Sequence, residues 1–420
     1  IGENDTGTIL RSSTNGLVSG DNSLGGIVGT NVQGIVRNCS SIATFNGSDY
    51  IGGLIGRNQS GSSVSDCSAS CTFEFTLDHV GGLIGHNEGS SEVTRCFAVG
   101  TVTGGFNVGG LIGVSGASSN DYHTMVTHCY SEGDVVGRDY AVGGLIGLCL
   151  GGVIRDCSAA CNVKTNRGYV GGLLGHDSRS LLIENCFSVG PVIGTDGVGG
   201  LIGSYAGNRL RACYAVSDVT GETHTGGLIG LRYNNIITDC FSSGTVSGDN
   251  IIGGLVGYNK VSIHGSLKTI EHCYSTSLVS ATSFAGGLIG MNWHGDFNGC
   301  YWDVESSSTE VGVGNEEPFG VYGKTTADLF QQSTFEDWDF AKIWWIDEGQ
   351  DYPHFYWEPG SPEMPTPTPT ATPTHTPTPT FTATPRPTFV NEGSDVNRDN
   401  RVDAEDLLIL LEDWWKVSGP

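Results

Sequence analysis

The chain has 420 residues, 65 of them glycine, and 45 acidic side chains set against 20 Lys and Arg give a net charge of −25. That balance argues against a nucleic-acid partner, for which a basic footprint supplies most of the affinity, and no apolar run approaches the ~20 residues needed to span a membrane. A first residue Ile1 with no signal-peptide pattern behind it reads as a mature product or a fragment.

From the first residues onward the chain repeats itself. Starting at Gly25, Gly52, Gly81, Gly109, Gly143, Gly171, Gly199, Gly226, Gly253 and Gly286 it reads GGLIG or a near variant. Each copy is followed by one cysteine at a nearly fixed offset: Cys39, Cys67, Cys96, Cys129, Cys157, Cys186, Cys213, Cys240, Cys273 and Cys300. An aromatic residue follows most of these cysteines, as at Phe97, Tyr130, Phe187, Tyr214, Phe241, Tyr274 and Tyr301. Val, Ile, Thr and aromatics broken by Gly, Asn and Ser every few residues read as short strands and turns. One such unit cannot bury a core alone, but stacked copies can, at about 4.8 Å per rung. The expected fold is all-β, a β-solenoid of ten to eleven rungs with three short strands per coil, a rod on the order of 50 Å long. The paired glycines are expected to supply positive φ and close backbone approach at a corner. A phosphate-binding loop would need one such segment before a helix, with a Lys, and that pattern is absent.

This pentapeptide and its period resemble the GLUG motif of bacterial surface and secreted proteins, including adhesin-like ones, over residues 1–300. The resemblance implies a right-handed parallel β-helix-like scaffold, and it implies no enzyme. Ile1-Gly2 aligns with Ile55-Gly56, so the first rung reads as truncated. An open rung presents strand edges that invite strand addition.

The ten repeat cysteines should stack as a structural ladder of buried thiols, because in-register Cβ vectors about 4.8 Å apart are too far for an unstrained disulfide. Cys71, Cys149 and Cys161 stand outside that series. The aromatic ladder reads as packing, with a carbohydrate-binding stripe as the functional alternative. Two rungs carry insertions between Gly-Gly and Cys, with His123 and His128 in one and His264 and His272 in the other. Both should leave the same corner of the coil, too far apart to share a metal. HExxH and GxSxG are both absent, and no repeated carboxylate pair stands out.

All eight tryptophans lie at or beyond Trp293. Residues 301–360 read as an aromatic-rich cap, with a short helix N-capped by Thr326. Residues 361–390 form a Pro/Thr-rich tether of extended polyproline II character. Its threonines Thr366, Thr368, Thr370, Thr372, Thr374, Thr376, Thr378, Thr380, Thr382, Thr384 and Thr388 are candidate O-glycosylation sites.

In residues 391–420, DVNRDNRVDAEDLLILLEDWW places Asp395, Asn397, Asp399, Arg401, Asp403 and Asp406 at loop positions 1, 3, 5, 7, 9 and 12. That spacing converges oxygen ligands on calcium, with Arg401 giving only its backbone carbonyl. The segment resembles one half of a type I dockerin, whose family members pair two such calcium-binding halves and bind cohesins. The second half is missing, and Ala404-Glu405 replaces the small hydroxylated recognition pair.

These readings combine into an extracellular, non-enzymatic bacterial protein. It is expected to assemble head to tail into a surface or secreted fibre through its open end, tether and calcium module, with itself or a docking protein as partner. Two alternatives stay open: a monomeric carbohydrate- or host-binding adhesin, and a docked accessory protein of polysaccharide degradation.

Overall fold

The computed structural model describes residues 1–73, 78–117, 123–262, 269–358, 361–362 and 364. The chain divides into two compact units, Ile1–Trp338 with Ile346–Pro353, and Asp339–Trp345 with His354–Pro420.

The first unit is a parallel β-solenoid. In each coil a strand such as Asp49–Gly52 runs into the Gly53-Leu54 corner and on into Ile55–Gln59. A turn then leads to Ser63–Ser65, a second bend at Asp66-Cys67, and Ser68–Ser70. Stacking the coils gives three sheets. One has eleven strands, from Glu3–Asp5 to Ile289–Trp293, and another has ten, from Asn22–Gly25 to Ser283–Gly286. The third collects the segments on either side of the cysteines. Pairing is parallel and like falls on like: Ile55 pairs Ile84, Ile84 pairs Ile112, and Val64 pairs Val93. The two longer rungs keep this register, since Glu92 pairs Met125 and Met125 pairs Val153. Their extra residues fall between Ser115 and Met125 and between Lys260 and Thr269, at the same corner.

Alternation explains the core. Ile51, Leu54, Ile55 and Val64 are fully buried, as are their equivalents Val80, Leu83, Ile84 and Val93 in the next coil. Burial of each such side chain stabilises by roughly 1.5–3 kcal/mol. At the corner, Leu54 N–H donates to the Leu83 carbonyl at 2.9 Å and Leu83 N–H to that of Leu111 at 2.9 Å, so the bend adds to the ladder.

The glycines act differently from the sequence expectation. None of the GGLIG glycines adopts positive φ. Close approach alone requires them: a Cβ on Gly53 would overlap the carbonyl oxygen of Gly82 and sit 2.9 Å from both the Ala69 Cβ and the Cys71 Sγ. The coil is so thin here that the second glycine faces a small residue two positions after the cysteine, Ala98 for Gly82 and Ala159 for Gly144.

Positive φ falls instead on side-chain-bearing residues. One series lies two positions before the first motif glycine, including Tyr50 (55°), His79 (54°), Asn107 (53°) and Tyr169 (56°). Another immediately precedes the cysteines, including Asp66 (57°), Arg95 (51°) and Asp156 (54°). Each costs about 1–2 kcal/mol. The offset is an inter-rung hydrogen bond, as from Asp66 N–H to the Thr94 carbonyl at 3.2 Å and His79 N–H to that of Phe106 at 3.0 Å.

The C-terminal end of the solenoid is closed. Trp302 occupies the position that Ala or Ser holds in earlier rungs, and a Cβ on Gly287 would overlap its ring. The backbone of 311–314 covers the last corner, accepting Gly287 N–H at the Val311 carbonyl (2.9 Å) and Leu288 N–H at that of Gly312 (3.0 Å). Asp303, fully buried, accepts from Thr326 Oγ1 at 2.7 Å and Tyr352 OH at 2.6 Å. The short helix Thr326–Leu329 is capped by Thr325 rather than Thr326, because Thr325 and Asp328 form a reciprocal capping box. In the second unit, Trp344–Trp345 pairs antiparallel with His354–Phe355, and Trp344 and Phe355 are fully buried.

Candidate functional site

Two columns run along the solenoid and a third along part of it, and each has a distinct chemistry. The first is the thiol column. All thirteen cysteines are free and buried. The repeat thiols settle on a main-chain carbonyl two residues back, as from Cys67 Sγ to Ser65 O at 3.1 Å and Cys157 Sγ to Arg155 O at 3.1 Å. Burial pushes Cys96, Cys129, Cys157, Cys186, Cys240, Cys273 and Cys300 well above the usual thiol range, so they are neutral and unreactive in the folded rod.

The second column is polar, and sequence reasoning missed it. The second residue after each pentapeptide points inward, giving Asn4, Asn31, Asn58, Asn87, Ser115, Cys149, Asp177, Tyr205, Arg232, Asn259 and Asn292 in register. Asn4 Nδ2 donates to Asn31 Oδ1 at 2.7 Å, Asn31 to Asn58 at 2.8 Å, and Asn58 to Asn87 at 2.8 Å. Asn259 donates to Asn292 at 2.6 Å. Between these runs the ladder breaks. Asn87 Nδ2 and the Tyr205 hydroxyl are buried without partners. Asp177 accepts from Ser180 N–H at 3.0 Å and Ser180 Oγ at 2.6 Å and faces no cation. Burial pushes its carboxyl up to about 6. Arg232, also fully buried, donates to Asn235, Asn259 and the Thr269 carbonyl. Burial lowers it to about 10, leaving it charged at neutral pH. The signal was in the sequence, as Asn recurring two residues after five of the ten pentapeptides.

The third column is aromatic and external. Phe187, Tyr214, Phe241 and Tyr274 stack at 4.8–5.0 Å with interplanar angles of 3–11°. Rings in this geometry spend their faces on each other. Sugar recognition by stacking needs a free face, so this ladder is packing. Phe97 and Tyr130 form a separate stacked pair, and Trp338 packs against Tyr274 and Tyr301.

The remaining surface carries compensated charge. Asp66 bridges Arg37 (3.1 Å) and Arg95 (2.6 Å), and Glu184 bridges Arg155 (2.9 Å) and Arg211 (3.2 Å). A shallow concavity includes Gln33, Gln59, Ser60 and Glu88, and its one carboxylate is tied to Arg57 at 2.6 Å. No group of three or more His, Cys, Asp and Glu among the described residues could hold a metal. His123 is exposed, His128 lies 3.5 Å from Asp156, and His272 packs against Trp338.

The calcium-loop residues Asp395, Asn397, Asp399, Arg401, Asp403 and Asp406, the tether threonines Thr366–Thr388, and His264 lie outside the described residues. The loop's donor set is all oxygen, which suits a hard cation.

Residues 47–72 and 78–103 match the GLUG motif. These segments form one coil each, and the other pentapeptides stand in the same columns. GLUG repeats occur in extracellular and surface proteins, and the solenoid they build is a non-catalytic kind of architecture. No curated protein and no solved structure was found to match the chain. Among the described residues no helix is long and apolar enough to cross a membrane.

Proposed function

We propose that this chain is a non-enzymatic extracellular structural protein, a stiff solenoid that displays and spaces, joined to its neighbours through its C-terminal module. The observation that carries this reading is the parallel stack, in register apart from one shift between Gly152 and Val153, in which like residues fall on like. Around it, Asp66 and Glu184 are each paired with two arginines.

The closed C-terminal end bears on how chains could join. Trp302 fills the interior there, the 311–314 backbone covers the last corner, and Val321–Lys324 adds one more parallel strand on Cys300–Asp303. We assign the head-to-tail joint at that end to the tether and the calcium loop Asp395–Asp406. Calcium would neutralise the carboxylates there and fix the following apolar segment, Leu407–Trp415, for docking on the next copy. Electron microscopy in calcium and then in chelator tests this. Filaments lost in chelator are expected, and isolated rods in both conditions would overturn the assembly.

A second reading, a monomeric adhesin, is favoured by one feature. Leu10, Leu17, Ile35 and Ile42 are 45–70% exposed on one sheet of the first two coils, a surface suited to a protein or host partner rather than to a glycan.

A further inference from the structure

The interior polar column divides the solenoid into sections of unequal security. From Asn4 to Asn87 the amides form a donor-to-acceptor chain in which Asn31 and Asn58 each donate to one neighbour and accept from the other, and Asn259 and Asn292 resume the pattern. Asparagine can do this indefinitely, because the amide carries a donor and an acceptor at once. Carboxylate cannot. Asp177 is fully buried in the strand Leu174–Asp177. Toward one side it meets Cys149, a neutral thiol, and toward the other Tyr205, whose hydroxyl is unpartnered. Within its own coil it meets the Ser180 hydroxyl and the Ser180 and Arg179 N–H groups. The nearest cation in the column is Arg232, two coils away behind Tyr205 and already engaged by neutral acceptors. His176, adjacent in sequence, packs outward against Tyr169.

We propose that the coils around Asp177, namely Ile146–Cys149, Leu174–Asp177 and Ile202–Tyr205, form a pH-gated soft section of the rod, closed when Asp177 is protonated and prone to local opening when it is ionised. The physical cause is the cost of an ionised carboxylate with hydrogen-bond donors but no counter-charge in a dry interior. The flanking sections hold no such group in this column and should not respond to the charge on Asp177. Local opening in a stacked repeat need not unfold the remainder, because each coil touches chiefly its neighbours.

The sign follows from proton binding. The folded carboxyl holds its proton up to about pH 6, against the ordinary 3.8. The closed state is therefore favoured most below 3.8, loses ground between 3.8 and 6, and changes no further above. A shift of that size corresponds to a roughly hundredfold rise in the open fraction across this window.

The test is amide hydrogen exchange read by mass spectrometry on the whole chain at pH 4, 5, 6 and 7, corrected for intrinsic exchange chemistry. The variant is Asp177→Asn, which installs the residue native to this column and should fold. Across the same rise in pH, peptides covering 146–149, 174–177 and 202–205 should lose up to about a hundredfold more protection in the wild type than in the variant, where the pH dependence that remains is that of the buried His176, whose pKa burial lowers. Peptides covering 28–32 and 55–59 should behave alike in wild type and variant. Equal pH dependence in wild type and variant would overturn the assignment to Asp177. A loss of protection shared by all coils would overturn the local section.

Discussion

The coils carrying Asn31, Asn58 and Asn87 and those carrying Cys149, Asp177 and Tyr205 share a backbone and differ inside it. Both have the same Gly-Gly corner, left-handed residues at the positions before the pentapeptide and before the cysteine, and the same thiol column. In the first group the interior polar position is filled by a residue that satisfies itself when repeated. In the second, Asp177 has no counter-charge beside it and the Tyr205 hydroxyl has no partner. A buried polar group is safe in a repeat only if stacked copies of it are complementary, which holds for an amide and fails for a carboxylate or a phenol.

The shared frame can be broken first. Gly82→Ala and Gly172→Ala each drive a Cβ onto the backbone of the next coil, against the carbonyl oxygens of Gly110 and Gly200. Both should cost more than about 4 kcal/mol, and urea unfolding should find them equally damaging. Unequal losses would mean that the two groups differ at their corners as well.

Asp177→Asn should act next and in the opposite direction. With the folded carboxyl at about 6 against 3.8, the variant gains about 3 kcal/mol above pH 6 and nothing below pH 3.8. Urea midpoints at pH 3.5 and 7 check both values. In the regular group, Asn58→Ala leaves Asn31 Nδ2 without its acceptor and Asn87 Oδ1 without its donor. This should cost about 2 kcal/mol at every pH. Cys157→Ala removes a packed thiol and its hydrogen bond to the Arg155 carbonyl and should cost about 1 kcal/mol in urea unfolding.

Much of this architecture is legible in the sequence, for a physical reason. Stacking at one rung per repeat turns a period of 27 to 34 residues directly into register, so Gly52, Gly81 and Gly109 had to align, as did the cysteines. Both insertions fell between sheets because only there can residues be added without shifting a pairing. The left-handed corners were not legible. Tyr50, His79, Asn107 and Ala141 share a φ and no side-chain chemistry, since the stack imposes the conformation whatever the residue. The polar column was legible at Asn31, Asn58 and Asn87 and hidden where Cys149, Asp177 and Tyr205 take the same place. The Gly-Gly pair was placed at the right corner for an incomplete reason: crowding against Gly82 and Ala69 excludes a side chain there, and backbone handedness plays no part.

Trp302 also marks where counting stops. Most coils before it are interchangeable in outline with the next, and the ring then fills the interior space that an Ala or Ser leaves beside the second motif glycine. Copying or deleting one repeat upstream of Trp302 would lengthen or shorten the stack by about 4.8 Å while leaving both ends intact. Length in this molecule is thus a variable that ordinary gene recombination can adjust in whole steps, with the terminating residue carried along unchanged.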